Sequence, residues 1–521
     1  MKYSQKLIGL FFIIFLVKYS YSQTPRVYKA PEYEEEWSKP TNHPDRIIIN
    51  PGVDPSTTMS ITWRTSIDIK EGFAEIAKAT AAPKFWRTAN TIDAKTETLN
   101  AENVEKAGVI ANYHSVTFTK LEPGTLYGYR VGDGKHWSEW IQFKTAASTP
   151  EKFSFLYVGD AQNYILELWS RLIREGYRMA PEASFIIHAG DLINNAHNDE
   201  QWHEWFQAGG WIHSMLPSLS VPGNHEYGAI EEGGDKTLSV QWKPQFTLPN
   251  NGPEGLEETA YYIDYQGARI IGLNSLDWRK WETQAEWLEK VLKNNPNQWT
   301  VVSYHYPLFS ASEGRDNKRW REHLKPLFDK YGVDLALQGH DHSYARGRVA
   351  PAEYNLVSGL NKRDQTGTVY VVSVSGGKMY SLKSNGWDDY EAERDRAAEN
   401  TQLFQIVSVD GDELTFESYT ATGDLYDAFS LTKNANGPNT FKEMKDGAIS
   451  ERYHHNTISY EDTLPLDVQR EVLSKYSGYT VDRVNASEDS GEIYYGVRLR
   501  KGDTTIKLRV DEKGNVLEEE K

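Results

Sequence analysis

Two histidines, His340 and His342, stand one residue apart in "LQGHDHSYAR" at residues 337–346. Taken alone, Gly-His-x-His is either a solvated polar loop or a pair of metal ligands. Other short motifs bear on the choice. Gly159-Asp160 and Gly190-Asp191 each follow an apolar run, Gly223-Asn224-His225-Glu226 follows a third, and His305 follows "VVSY". Each motif by itself is an ordinary turn. Together they supply Asp160, Asp191, Asn224, His305, His340 and His342. Carboxylate, amide and imidazole donors of this kind suit a borderline divalent or trivalent metal. A carboxylate accepts through both oxygens, so it can bridge two ions about 3.5–4 Å apart, the spacing that cradles a phosphoryl oxygen. His340 and His342 are near enough in sequence to reach two neighbouring ions.

The runs before these motifs read as buried strands. "FSFLYV", "SFIIH", "LSVP", "TVVSY" and "VDLALQ" are continuously apolar, and helix-length segments separate them, such as Tyr164 to Met179. This is an α/β layered pattern, and in open α/β sheets ligands gather beyond the carboxyl ends of the strands. All the motifs are therefore expected on one edge. Upstream, from Arg46 to about Thr145, short alternating strands broken by Pro-Gly and Asp-Gly turns predict a β-sandwich, with aromatics such as Trp63 in its core. Residues 368–433 read as further strands that complete a second sheet of the layered domain. "NANGPN" reads as a linker, and the segment after Asp462 as a small α+β domain.

A chain of 521 residues exceeds one compact core, so about two to four domains are expected. The formal net charge of −17 opposes nucleic acid and anionic membrane as partners. A local cationic centre would still attract an anionic substrate. Lys2 and Lys6 before the apolar run Leu7 to Val17, with small residues at Ser20 to Ser22, read as an export signal. The expected location is secreted or periplasmic, with no membrane span in the mature chain. Cysteine is absent, which excludes disulfides and thiolate ligands.

The order GD, GD, GNHE, VVSYH, GHxH resembles the calcineurin-like metallophosphoesterases. With the preceding sandwich, which resembles a fibronectin-III-like domain in "LEPGTLYGYRV", it is most similar to their purple acid phosphatase branch. The tail resembles PepSY-like domains. The implied layout is a signal peptide at 1–22, a linker at 23–45, the sandwich at 46–147 and an αββα metallophosphoesterase domain at 148–433. A linker at 434–455 and the tail domain at 456–521 complete it. The resemblance implies two metal ions, Fe, Zn or Mn. Asp191 matches the bridging carboxylate, Asp160 and His342 match ligands of the first ion, and Asn224, His305 and His340 match ligands of the second. His225 matches the histidine that faces substrate. The implied reaction is hydrolysis of a phosphorylated small molecule, a monoester, by a metal-bound hydroxide. A diesterase or pyrophosphatase of the same family is the first alternative, and a secreted binding protein with a degenerate site is the second. The oligomeric state is open.

Two positions depart from the purple pattern. Asn194 stands where that branch has a tyrosinate, so a colourless protein and a divalent pair are expected. Gln162 stands where many relatives of the wider family carry a histidine ligand, and its amide oxygen is a candidate replacement. Ser312, Glu313 and Arg315 lie in the loop after His305, and Arg315 is the candidate phosphate clamp. Tyr344 and Arg346 are expected to support the last motif. His197 is expected in a solvated loop or at the pocket edge, His188 packed in a strand, and His454-His455 exposed.

Overall fold

The computed structural model describes residues 36–452 and 466–520, apart from 105, 232, 313, 351–355, 384–385, 391, 436, 445, 490–491, 503 and 512. The export pattern, Glu313 and His454-His455 lie outside the described residues. The chain divides into two compact units, residues 36–452 belonging to the larger and 466–520 to the smaller.

The larger unit opens with the expected sandwich. One antiparallel sheet runs Asp45–Pro51, Met59–Thr65, Val109–Phe118, Lys95–Ala101, and the other Asn90–Asp93, Phe73–Lys78, Leu126–Gly132, Ile141–Lys144. Their inward residues, among them Ile61, Trp63, Val116, Tyr129 and Phe143, form one buried cluster. At the corner in "LEPGTLY" the Tyr127 hydroxyl accepts the Glu122 amide at 2.8 Å, closing the turn between strands.

Two stacked sheets form the centre of this unit. The first has the order Ser218–Ser220, Ile186–His188, Phe153–Val158, Leu403–Asp410, Glu413–Thr420, Leu425–Thr432, Asn439–Glu443, Gln365–Thr366. The second runs Tyr261–Tyr265, Ala268–Gly272, Trp299–Tyr304, Leu335–Gln338, Val369–Val372, Tyr344–Arg348, Glu393–Ala398. The strands before the motifs are parallel within each sheet. In the second sheet Val301, Leu335, Leu337, Val369 and Val371 face the main core, while Val302, Ala336 and Tyr370 face Leu288, Leu324 and Phe328 of the helices Trp281–Lys293 and Lys318–Tyr331. Both faces are covered, which is why the strands read as unbroken apolar runs. Helices Ser170–Met179 and Asp199–Gly209 pack with the first sheet, giving the αββα layering.

Three expectations change here. The motif strands belong to two sheets, not to one open edge, so the candidate ligands converge across the sandwich. Residues 439–443, expected in a linker, form a strand paired with Leu425–Thr432. Tyr344 and Arg346 do not support the ligand loop. Tyr344 donates to Asp427 at 2.7 Å, and the fully buried Arg346 pairs with Asp427, Asp395 and Glu443, so both tie the two sheets together.

The smaller unit is α+β, as expected. Helix Leu466–Lys475 accompanies an antiparallel meander of Thr480–Asp489, Glu492–Lys501, Thr504–Asp511 and Val516–Glu520, with Val468, Val472, Val497, Leu499 and Leu508 in its core. Among the described residues no helix is long and apolar enough to cross a membrane.

Candidate metal centre

The strands Phe153–Val158, Ile186–His188 and Leu335–Gln338 each stop where the chain turns sharply. Asp160 has φ 42°, Asp191 φ 53° and His340 φ 73°. Such left-handed backbone costs a non-glycine residue about 1–3 kcal/mol, and it persists where surrounding structure overrides it. Here the turns interlock. A Cβ on Gly223 would lie 2.2 Å from Asp191 Oδ1, and one on Gly339 would lie 2.4 Å from Asp160 Oδ1. Glycine precedes these ligands because a neighbouring motif occupies the space.

Glu226 holds the second and third motifs together. Its buried carboxylate accepts the amides of Gly223 at 2.7 Å, Asp191 and Leu192 at 2.8 Å, and Ile193 at 3.2 Å. Burial, with Asp191 adding its charge, pushes its pKa up to about 7. Asp341 does the same between the two histidines, accepting from the Ser310 hydroxyl at 2.8 Å and the Ala311 amide at 2.6 Å. Neither residue has a role that the motifs themselves disclose. The only signal is that both sit directly beside a ligand.

The expected ligands come together in two groups. Asp191, His305 and His340 offer donor atoms within 4.8 Å of one another, and so do Asp160, Asp191 and His342. Asp191 belongs to both. His305 Nε2 lies 3.2 Å from Asp191 Oδ2 and 3.1 Å from Asn224 Oδ1, which brings Asn224 into the first of these groups. His342 Nε2 lies 3.5 Å from Asp160 Oδ2. The other ring nitrogens are anchored: Nδ1 of His305 donates to Ala189 O, and Nδ1 of His342 to Lys378 O, both at 2.9 Å. A carbonyl at Nδ1 leaves the Nε2 lone pair for an ion.

The electrostatics fit cations. Burial, opposed by His305 and reinforced by Asp191, holds the Asp160 carboxyl well above its usual range. Burial would also raise Asp191, but His305, His225 and His340 hold it well below that range. Burial opposes the His305 imidazolium, yet Asp191 overrides it and lifts the pKa to about 9. Burial carries His342 down to about 3. Asp160 Oδ2 and Gln162 Oε1 are buried without a hydrogen-bond partner. Buried lone pairs of this sort are costly in a finished core and natural at a cation site.

Gln162 is fully buried, and its Nε2 lies 2.9 Å from Asp191 Oδ2 and 3.2 Å from His342 Nε2. Its amide end thus reaches the Asp160 group. Amide nitrogen and oxygen exchange places by a flip, which would turn Oε1 to the same point. Asn194, at the place of the absent tyrosinate, accepts the His225 Nδ1 proton on its backbone oxygen at 2.6 Å. His225 also donates its amide to Asp191 Oδ1 at 2.8 Å, which sets its ring beside the centre.

Arg315, the candidate phosphate clamp, is tied to the ligand loop through one of its nitrogens. Its Nη1 donates to His340 O at 2.6 Å and meets Asp341 Oδ1 at 3.2 Å, so the guanidinium braces the His340 turn. Ser312 is buried, with its amide on the Ser310 hydroxyl. His197 is buried and bonded to Gly228 O, so it lies neither in solvent nor at a pocket edge. His188 is packed among Trp169, Trp205 and His213.

Comparison with known families agrees with this geometry. Residues 44–145 match the purple acid phosphatase N-terminal domain, and 153–344 match the calcineurin-like phosphoesterase domain. The chain carries these two domains in sequence. A purple acid phosphatase from Glycine max is 26% identical over 52% of this chain and 61% of its own length. A phosphoenolpyruvate phosphatase from Allium cepa is 24% identical over 73% of the chain and 80% of its own length. A purple acid phosphatase from yellow lupin seeds shares the fold at a TM-score of 0.61 and 21% identity, covering 76% of this chain and 75% of its own. The chain thus carries a calcineurin-like phosphoesterase domain and is similar to purple acid phosphatases.

Proposed function

We propose that this protein is a phosphatase that hydrolyses phosphate monoesters, with Asp191 shared between the residues that would hold two metal ions. One observation carries the reading: the two groups of candidate ligands have Asp191 in common. Asp160, His342 and Gln162 would hold one ion, and Asn224, His305 and His340 the other. Held there, the ions would supply Lewis-acid chemistry, acidifying water and neutralising phosphoryl charge.

The residues of the chain do the rest. Asp160, Asp191 and the imidazoles keep their donor atoms converged because Glu226 and Asp341 fix the turns. Asn194 O accepts from His225 Nδ1, which orients the ring with Nε2 toward the substrate side. As the bond from phosphorus to the leaving oxygen breaks and the bond from water forms, an imidazolium at His225 gives its Nε2 proton to the leaving alkoxide. The products are an alcohol and phosphate, with no covalent phospho-enzyme. The Zn and Fe in the name of one Arabidopsis relative, an Fe(3+)-Zn(2+) purple acid phosphatase, make those metals natural first trials. Export rests on the pattern at Lys2 to Ser22, and the PepSY-like character of the tail on its strand pattern.

Hydrolysis of p-nitrophenyl phosphate by protein supplied in turn with Zn, Mn and Fe tests this. Metal-dependent turnover is expected, with Asp191→Asn reduced to background. Full turnover of that variant with metals bound would refute the shared-carboxylate reading. Turnover of the diester analogue alone would move the protein to the diesterases.

A further inference from the structure

The strap after strand Val369–Val372 runs against the Asp160 group. Gly376 donates to Asp160 O at 2.8 Å, and a Cβ there would lie 2.3 Å from Gln162 O, so only glycine lets the strap pass. Lys378 O takes the His342 Nδ1 proton, and the Tyr380 amide donates to His342 O at 2.7 Å. The Tyr380 ring stands edge-on to His342 at 4.6 Å between centroids. The strap is therefore fixed beside one candidate ligand by bonds from its own backbone. Its cationic side chain is half-buried, with Nζ 5.5 Å from the Tyr380 centroid, and it pairs with no carboxylate among the described residues. An ammonium in that position, beside a centre that takes cations, lacks charge compensation. Arg315, the other cation at Tyr380, already bonds the His340 turn.

We propose that Lys378 binds the terminal dianionic phosphate of the substrate and sets a preference for monoesters over diesters. The inference rests on the proposed phosphatase reading and names its substrate class. A monoester carries an extra negative charge at the reacting phosphorus, and inorganic phosphate carries it too. A diester has an ester group there, so it gains less from the ammonium.

The test compares Lys378→Met and Lys378→Arg with the full-length metal-loaded protein. Three quantities are measured: bound metal by elemental analysis, inorganic phosphate affinity by calorimetry, and kcat/KM for p-nitrophenyl phosphate against bis(p-nitrophenyl) phosphate. Lys378→Met is expected to keep both ions, weaken phosphate about tenfold or more, and lower the monoester-to-diester ratio similarly. Lys378→Arg is expected to restore most of both. Phosphate affinity and the ester ratio unchanged in Lys378→Met would overturn the proposal. So would loss of an ion, which would make the residue a support of the strap. If the unaltered protein hydrolyses neither ester, the phosphatase reading fails, and phosphate calorimetry still decides the role of Lys378.

Discussion

In the proposed centre, the half built on Asp160, Gln162 and His342 carries its own carboxylate, whereas the half built on Asn224, His305 and His340 carries only neutral donors beyond the shared Asp191. The two halves also differ in support. Asn224 is tied to the shared carboxylate through His225 and Glu226 of its own motif. The Asp160 half depends on contacts far apart in sequence, since Gln162 meets His342 across 180 residues. The difference teaches that the two ions need not be held equally. The carboxylate-rich half should bind the harder or more highly charged ion, and a neutral amide in place of an anion limits that charge.

Single-ligand variants would break this comparison most sharply. Asp160→Ala should release one ion and leave the other on Asn224, His305 and His340. His340→Ala should do the reverse. Both should fall to background turnover, because the proposed reaction would use both ions. Elemental analysis giving about one ion per chain in each variant is the expected result. Loss of both ions from Asp160→Ala would mean that the halves are not separable.

Gln162→Ala sharpens the same comparison with a smaller effect. If the amide oxygen is a ligand, metal affinity or turnover should drop about 10–100-fold, as for outer ligands and their supports. Unchanged affinity and turnover would reduce Gln162 to a hydrogen bond on Asp191. The companion measurement is the visible spectrum of iron-loaded protein. With Asn194 at the tyrosinate position no charge-transfer band is expected, and a purple species would require a phenolate ligand that the candidate ligand groups lack.

How far the sequence shows this centre can be argued residue by residue. Asp160, Asp191, Asn224, His305, His340 and His342 were legible because each follows an apolar strand and, in most cases, a glycine. The sandwich and the α/β layering were legible from period and turn residues, and the αββα arrangement from the family resemblance. Lys378, Glu226 and the division of the strands between two sheets were not. Lys378 reaches His342 across 36 residues, and Glu226 reaches Asp191 across 35, so no local pattern marks either contact. The strand Asn439–Glu443 was hidden by its polar start and the loop before it. The bond from Arg315 to His340 O has no sequence signal either, because an arginine in a ligand loop looks the same whether it meets a phosphate or a backbone carbonyl.

The smallest effect on chemistry is expected where the sandwich meets the central sheets. Asp199 accepts from Arg46 at 2.8 and 2.9 Å and from Arg64 at 3.1 Å, and the arginine side chains are 1% and 0% exposed. Arg64 keeps Asp45 as a second partner, but Arg46 would be left without a carboxylate in Asp199→Ala. Stranding a buried guanidinium costs about 3–5 kcal/mol, so the denaturant midpoint should fall well below that of the unaltered protein. The pH dependence follows from the same pair. Burial raises the Asp199 carboxyl, yet Arg46 and Arg64 outweigh it and lower its pKa below the usual value. A carboxylate depressed in the folded state contributes stability above its unfolded pKa of about 4 and loses it as pH falls through the folded value. The unaltered protein should therefore lose stability on acidification below about pH 4 by more than Asp199→Ala does. Metal content and kcat at neutral pH should stay at the unaltered level, because Asp199 touches no candidate ligand. A fall in kcat that tracks the fall in stability would mean that the junction positions the Asp191 turn, and the two regions would then act as one.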